Sequence, residues 1–280
     1  MRYSSISYII IILLLFSCNN NKYDKYQNTE DAIRIVSLAP SITKELVDLG
    51  LENNIVGATS YCAVSSSNKD LIIGSAITVN IEKVLLLKPD IVFASGLTKD
   101  KTINTLKENG VTVYKFGKMT SFEYICNNFI ELGKLVDKEN TARSIVEKSK
   151  TKIDSLISTI PKQTDSLRIF FQVGSKPIFT VIPNTFMNDY ITFAGCKNIA
   201  DDMTRGTINR ETVINRNPDI IFIISMGIEG NNEKKTWEKY PELKASKNKK
   251  IFIVDANVAA SPTVLAFTES FEKIMNDIYN

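Results

Sequence analysis

The chain has 280 residues, 44% hydrophobic and 23% charged, an ordinary composition for one or two globular domains with sizeable cores. Its 34 basic and 31 acidic residues leave a formal charge of +3, without the clustered Lys/Arg stripe that a nucleic-acid binder needs. Histidine is absent, which removes the commonest general base, zinc ligand and haem ligand and excludes a Ser-His-Asp or Cys-His nucleophile. With no CxxC pair, phosphate loop or dinucleotide fingerprint either, only carboxylate or lysine chemistry is left to an enzyme.

Residues 1–18, MRYSSISYIIIILLLFSC, carry Arg2 and then an apolar run over residues 8–16. That run is too short for a hydrocarbon core, which takes roughly 20 residues to cross, so it reads as a signal peptide. Leu15-Phe16-Ser17-Cys18 resembles the bacterial lipobox, which makes Cys18 the expected lipidation site and a membrane anchor; the alternative is a chance cysteine at an ordinary cleavage site. Residues 19–31 are polar and aperiodic, as a flexible tether should be. Cys62, Cys126 and Cys196 remain, an odd number that permits at most one disulfide or else three small buried residues.

Residues 33–38 are a β-rich run, and Ile42, Leu46, Leu49 and Leu51 then set an amphipathic helix stopped near Gly50. A short strand at 55–58 completes a βαβ unit of a parallel sheet. Ser41 either caps that helix or lines the crevice that α/β proteins form at the carboxyl ends of their strands. Tyr61, just after the second strand, is a rim residue or a crevice residue on the same argument. Residues 80–93 (NIEKVLLLKPDIVF) read as a capped helix, a Pro-Asp break and a buried strand, followed by a helix at 102–109, a strand at 111–116 and a helix at 122–135.

In residues 137–161, Ala142, Ile145, Val146, Ile153, Leu156, Ile157 and Ile160 recur at steps of three and four. Asp137 or Asn140 can cap this helix and Pro161 stops it. Roughly 20 residues make a rod of about 30 Å, either a connector between two domains or the core helix of one. The flanks favour the connector. Residues 209–222 (NRETVINRNPDIIF) align without a gap with 80–93, and Asn80/Asn209, Glu82/Glu211, Val84/Val213, Pro89/Pro218, Asp90/Asp219, Ile91/Ile220 and Phe93/Phe222 are identical. Two copies of one unit on either side of a rod imply two similar lobes.

Beyond the rod, strands are predicted at 168–173 and 178–182, with Phe179 as a core residue of the second, and a helix at 186–193. Asp201 and Asp202 are adjacent on a loop and cannot set the roughly 5–9 Å separation of a glycosidase pair, so they read as solvated. Residues 225–235 are polar and read as a mobile loop. Trp237, the only tryptophan, packs a short helix onto the lobe or reaches the cleft mouth. A strand at 251–255 and a helix at 264–278 close the chain.

RIVSLAPSITKELVDLGL, IVGATSY and NIEKVLLLKPDIVFAS, with FAGCKNIADD, NRETVINRNPDIIFI and KKIFIVDANV in the second half, closely resemble the periplasmic substrate-binding proteins for cobalamin, iron-siderophores and haem. These are the helical-backbone receptors of ABC importers, and the resemblance spans nearly the whole mature chain. It implies two α/β lobes with parallel sheets, 32–136 and 162–280, joined by a single long backbone helix at 137–161, with the ligand between them. It also implies that Glu82 and Glu211 pair with arginines of the permease; on the residues alone they are first-turn carboxylates favoured by the helix dipole by about 0.3–1 kcal/mol. Tyr61 matches a cleft tyrosine of the cobalamin receptors, and Phe179 falls near a cleft aromatic. The positions of two cleft tryptophans hold Ala76 and Arg205 instead. That departure argues against a cobalamin-shaped pocket and offers Arg205 to a carboxylate or catecholate of an anionic chelate, unless it is simply an exposed loop arginine.

The expected protein is therefore a monomeric lipoprotein on the periplasmic side of the cell envelope that captures an iron-siderophore or related metal chelate for an ABC permease and its ATPase. It has no catalytic residues, no resident cofactor and no metal site of its own, since free-metal receptors rely on histidines. The alternatives are a cobalamin or corrinoid receptor and, from a different class, a lipid-anchored enzyme using carboxylates or lysine.

Overall fold

The computed structural model describes residues 32–75, 77–161, 166–225 and 228–279; the expected signal peptide with Cys18, the expected tether and Ala76 lie outside them. In the first half, β1 (Ile35–Ser37), α1 (Pro40–Asp48) and β2 (Ile55–Ala58) form the expected βαβ unit. Helices α2 (Ala63–Ser67) and α3 (Ile81–Leu86) lead to β3 (Ile91–Ala94), and α4 (Asp100–Glu108) leads to β4 (Val113–Lys115). The strands pair in parallel in the order β2-β1-β3-β4. β1 and β3 are buried at every position, as strands covered on both faces must be. Helix α1 opens on Pro40, whose missing N–H is no loss in a first turn, and its cap is Ala39 without a side-chain bond. Ser41 is thus not the cap; it lies inside the first turn.

Helices α5 (Phe122–Leu135) and α6 (Glu139–Ser158) follow, and α6 is the expected rod, 20 residues long. Neither Asp137 nor Asn140 caps it. Asp137 has φ +56° in the tight turn between the two helices, and the cap position falls on Lys138, which makes no side-chain bond.

The second half runs β5 (Arg168–Ser175), β6 (Ile178–Thr180), α7 (Asn188–Phe193), β7 (Lys197–Asn198), α8 (Arg210–Arg216), β8 (Ile220–Ser225), α9 (Ile228–Glu238), α10 (Lys244–Lys247), β9 (Ile251–Asp255), α11 (Ala256–Ala259) and α12 (Val264–Tyr279). Its sheet is separate, ordered β6-β5-β8-β9, with β7 also on β5. β5, β7, β8 and β9 are parallel, and β6 folds back antiparallel on the carboxyl end of β5. The loop expected at 225–235 is largely helix α9. Its inward positions are Gly230, Glu233 and Trp237, and a stripe of one glycine and one acid carries no hydrophobic signal.

The sequence repeat is a structural repeat. Asn80 and Asn209 cap α3 and α8, their side chains accepting the Lys83 and Thr212 N–H groups at 2.9 and 2.8 Å. Val84 and Val213 are both fully buried. Lys88 and Asn217, each before the proline, share φ +44°. Asp90 Oδ2 accepts the Arg34 N–H at 2.7 Å and Asp219 Oδ2 accepts the Arg168 N–H at 2.8 Å, which ties each repeat to the first strand of its own sheet. The register agrees, Ile91 beside Ile35 and Ile220 beside Ile169.

Ile33–Asn280 is nevertheless one compact unit. Helix α6 packs against α5 and α12, burying Ala142, Val146, Ser149 and Ile153 along one stripe. Lys150 pairs with Glu123 of α5 and Lys152 with Glu272 of α12. The Phe122 ring stacks on Phe267 of α12, and Phe267 on Tyr190 of α7, both at 4.4 Å between centroids. Asp189 Oδ2 accepts the Phe122 N–H at 2.7 Å. One apolar core therefore runs from Ile35 and Phe93 to Phe171 and Phe222 through this helical layer.

Candidate functional site

Parallel strands leave their following loops on one edge of the sheet, where α/β proteins hold ligands. On the first sheet that edge carries Ser41 in the first turn of α1, Tyr61 after β2 and Leu97 after β3. Ser41 is half-buried, while Tyr61 is 80% exposed and Leu97 is also exposed. The Ser41 and Tyr61 segments are held together behind the edge. The buried Thr43 hydroxyl bonds Ser37 Oγ at 2.8 Å and lies 3.1 Å from Cys62 Sγ, which is also 3.1 Å from the Thr59 hydroxyl. All three described cysteines are free and buried, so no disulfide joins them. Burial pushes the Cys126 thiol up to about 12 and the Cys196 thiol up to about 11.

On the second sheet, Phe179 lies on the returning strand β6 opposite Gly174, and its ring is 45% exposed, so it is not a core residue. Thr207 bridges to Phe179, and the Thr180 N–H donates to Gly206 O at 2.7 Å. This places the loop bearing the exposed Arg205 beside the phenylalanine. The structure thus pairs Ser41 with Tyr61 on one sheet edge and Phe179 with Arg205 on the other. Glu82 and Glu211 are each the second residue of a short helix and exposed.

Beside Phe179 is a cavity of about 250 Å³ that the sequence reading did not anticipate, lined by Gln172, Gly174, Ser175, Ser225, Glu229 and Glu233 among others. Behind it is a buried polar network. Gln172 Oε1 accepts the indole N–H of Trp237 at 2.7 Å, and Gln172 Nε2 donates to Glu233 Oε2 at 2.8 Å. The Arg210 guanidinium donates to the same oxygen at 2.5 Å and lies over the Trp237 ring at 4.5 Å. Trp237 is fully buried and so packs α9 rather than reaching a cleft mouth. The signal in the sequence was Glu229, Glu233 and Trp237 at steps of four, visible only once the stretch is known to be helical. Asp202 is not merely solvated: it forms a two-pronged pair with Arg216 at 2.6 and 2.9 Å, and that bonding holds its carboxyl below the usual range.

Among the described residues no group of three or more acids and cysteines is placed to hold a metal ion, and no helix is long and apolar enough to cross a membrane. The exposed Tyr61 and Phe179 side chains stand at the carboxyl edges of the two sheets, and an open cavity lies at the second. The family model for "Periplasmic binding protein" matches residues 35–258, and the chain belongs to that family. It is 28% identical over 256 residues to the uncharacterized ABC transporter substrate-binding lipoprotein YvrC of Bacillus subtilis, covering 88% of this chain and 80% of that one. It is 26% identical over 197 residues to a cobalamin-binding protein of Halobacterium salinarum, covering 67% of this chain and 53% of that one. A solved structure from Staphylococcus epidermidis, a possible iron-binding (periplasmic solute-binding) protein, superposes with a TM-score of 0.76 at 29% identity, covering 88% of this chain and 98% of that one. As a member of this family the chain is a transport receptor and not an enzyme; its small molecule is cargo rather than cofactor, and its partners are a permease and an ATPase.

Proposed function

We propose that this receptor captures an iron-siderophore or related metal chelate between residues 32–136 and 162–280 and delivers it to the permease as a monomer tethered through lipid on Cys18. In this reading residues 1–18 are the signal peptide, 19–31 the tether and 137–161 the connecting helix. The observation that carries delivery is the duplicated unit: two asparagine-capped helices, one in each half, present Glu82 and Glu211 to solvent at the same helical position. Two anionic knobs set the register on a basic partner and speed the encounter more than they add affinity. Tyr61 and Phe179 offer exposed ring faces to the ligand, and Arg205 offers a planar fork of donors to its oxygens. The helical layer shared by the two halves favours small motions on binding over a wide swing.

A cobalamin or another corrinoid is the second reading, supported by the name of the Halobacterium relative and by the exposed Tyr61. Mass spectrometry of co-purified ligand separates the two. Glu82→Ala and Glu211→Ala are expected to abolish import while leaving ligand affinity unchanged. Normal import in the double variant would refute the assignment of these knobs.

A further inference from the structure

The cavity beside Phe179 has a one-sided chemistry. Gly230 lets α9 approach the end of β8 closely, since a Cβ there would fall 2.9 Å from the Ser225 Cβ. Glu229 and Glu233, one turn apart on the same face of α9, are thereby brought to the cavity wall. The Glu233 side chain is only 10% exposed and is fixed through Oε2 by Gln172 and Arg210, so its hydrogen bonds among the described residues all go to that oxygen, while Arg210 Nη1 behind it is buried without a partner. Glu229 makes no hydrogen bond or ion pair among them either. The donors of Gln172 are already used, one hydrogen bond going to Glu233 and one to Gly174 O at 3.1 Å. Among the described residues the remaining polar side chains of the lining are Ser175 and Ser225, and no lysine or arginine belongs to it. Arg210 balances one of the two carboxylates from behind, so the described lining carries one net negative charge beside two serine hydroxyls that can donate or accept.

Carboxylates at a cavity wall accept the donors that a ligand brings to them. Resting on the receptor reading above, we infer that this cavity is a specificity subsite for an N–H donor on the periphery of the chelate, a protonated amine or a primary amide. Phe179 lies next to the lining residue Gly174, its ring 3.4 Å from where a Cβ on that glycine would stand. Inside the cavity an anionic group such as a carboxylate or catecholate meets like charge, so the chelate's own oxygens are left to Arg205 on the loop beside Phe179.

The test measures affinity by calorimetry and by the emission of Trp237, which is hydrogen-bonded into the subsite wall, using Cys18→Ser protein that carries no lipid. The probes are ferrioxamine B with its free ammonium, its N-acetylated form, amide-rich cyanocobalamin, haem with two carboxylates, and a ferric tricatecholate. The donor-bearing probes are expected to bind ahead of the anionic ones. Glu229→Gln is expected to weaken the preferred probe about tenfold or more with an unchanged melting curve, and Glu229→Lys to shift preference toward haem or the tricatecholate. Preference of the wild type for an anionic probe, or an unaltered affinity in Glu229→Gln, overturns the subsite and leaves the chelate receptor standing. Silence toward every probe overturns both.

Discussion

Glu45, in the middle of α1, is 3% exposed, and its Oε1 is buried without a hydrogen-bond partner. Burial, and secondarily the neighbouring Asp48, pushes its carboxyl well above the usual range. Because the folded value lies above the unfolded one, the folded chain keeps a proton that the unfolded chain has released. Stability contributed at low pH is therefore lost as pH rises above the unfolded value of about 4.3 until the folded carboxyl itself ionises. Replacing the group with an apolar side chain of similar length removes a buried unsatisfied acceptor, a change of about 1–3 kcal/mol. Glu45→Met is thus expected to be more stable than wild type at pH 7 by that amount, or about 2–12 °C in midpoint for a body of this size. Thermal melts of both proteins from pH 4 to pH 8 check this, and the advantage of the variant should be smallest near pH 4 and grow upward. A destabilised Glu45→Met, or an advantage independent of pH, refutes the reasoning.

The two helix caps should behave alike: Asn80→Ala and Asn209→Ala are each expected to cost about 1 kcal/mol in denaturant unfolding, and a clear loss from only one of them would break the structural equivalence of the repeats. In Cys18→Ser protein, iodoacetamide at pH 8 should label Cys62, Cys126 and Cys196 slowly while the chain is folded and all three rapidly in guanidinium, since all are buried and the Cys126 and Cys196 thiols are held far from ionisation. Fast labelling of the folded protein would contradict that burial.

Much of the fold was legible because each sheet is built from local units. Strands 55–58 and 251–255 and the helix at 122–135 appear at the predicted residues. Helix α9 was not legible, because its inward face is Gly230, Glu233 and Trp237, and only the buried Gln172 and the Arg210 guanidinium make a glutamate acceptable there. Caps misled for a related reason. Pro40 and the left-handed turn at Asp137 set the starts of α1 and α6 by backbone geometry, so Ser41, Asp137 and Asn140 were not needed as caps.

Of the candidate site, the exposed Tyr61 and the paired Glu82 and Glu211 followed from position in a repeat or after a strand, which is information along the chain. The cavity did not, because Gln172, Ser225 and Glu229 come from three elements and meet only when β5, β8 and α9 are assembled. By itself, then, the sequence determined two half-molecules of parallel strands and helices, since hydrophobic period, caps and the duplicated Asn-x-Glu unit are all read within a few residues of one another. The fusion of the halves through α5, α6 and α12, and the acid-lined cavity beside Phe179, were decided only in three dimensions. Stacking rings, a glycine-permitted close approach and the matching of one buried carboxylate to one guanidinium are contacts between residues far apart in the chain, and no local pattern encodes them.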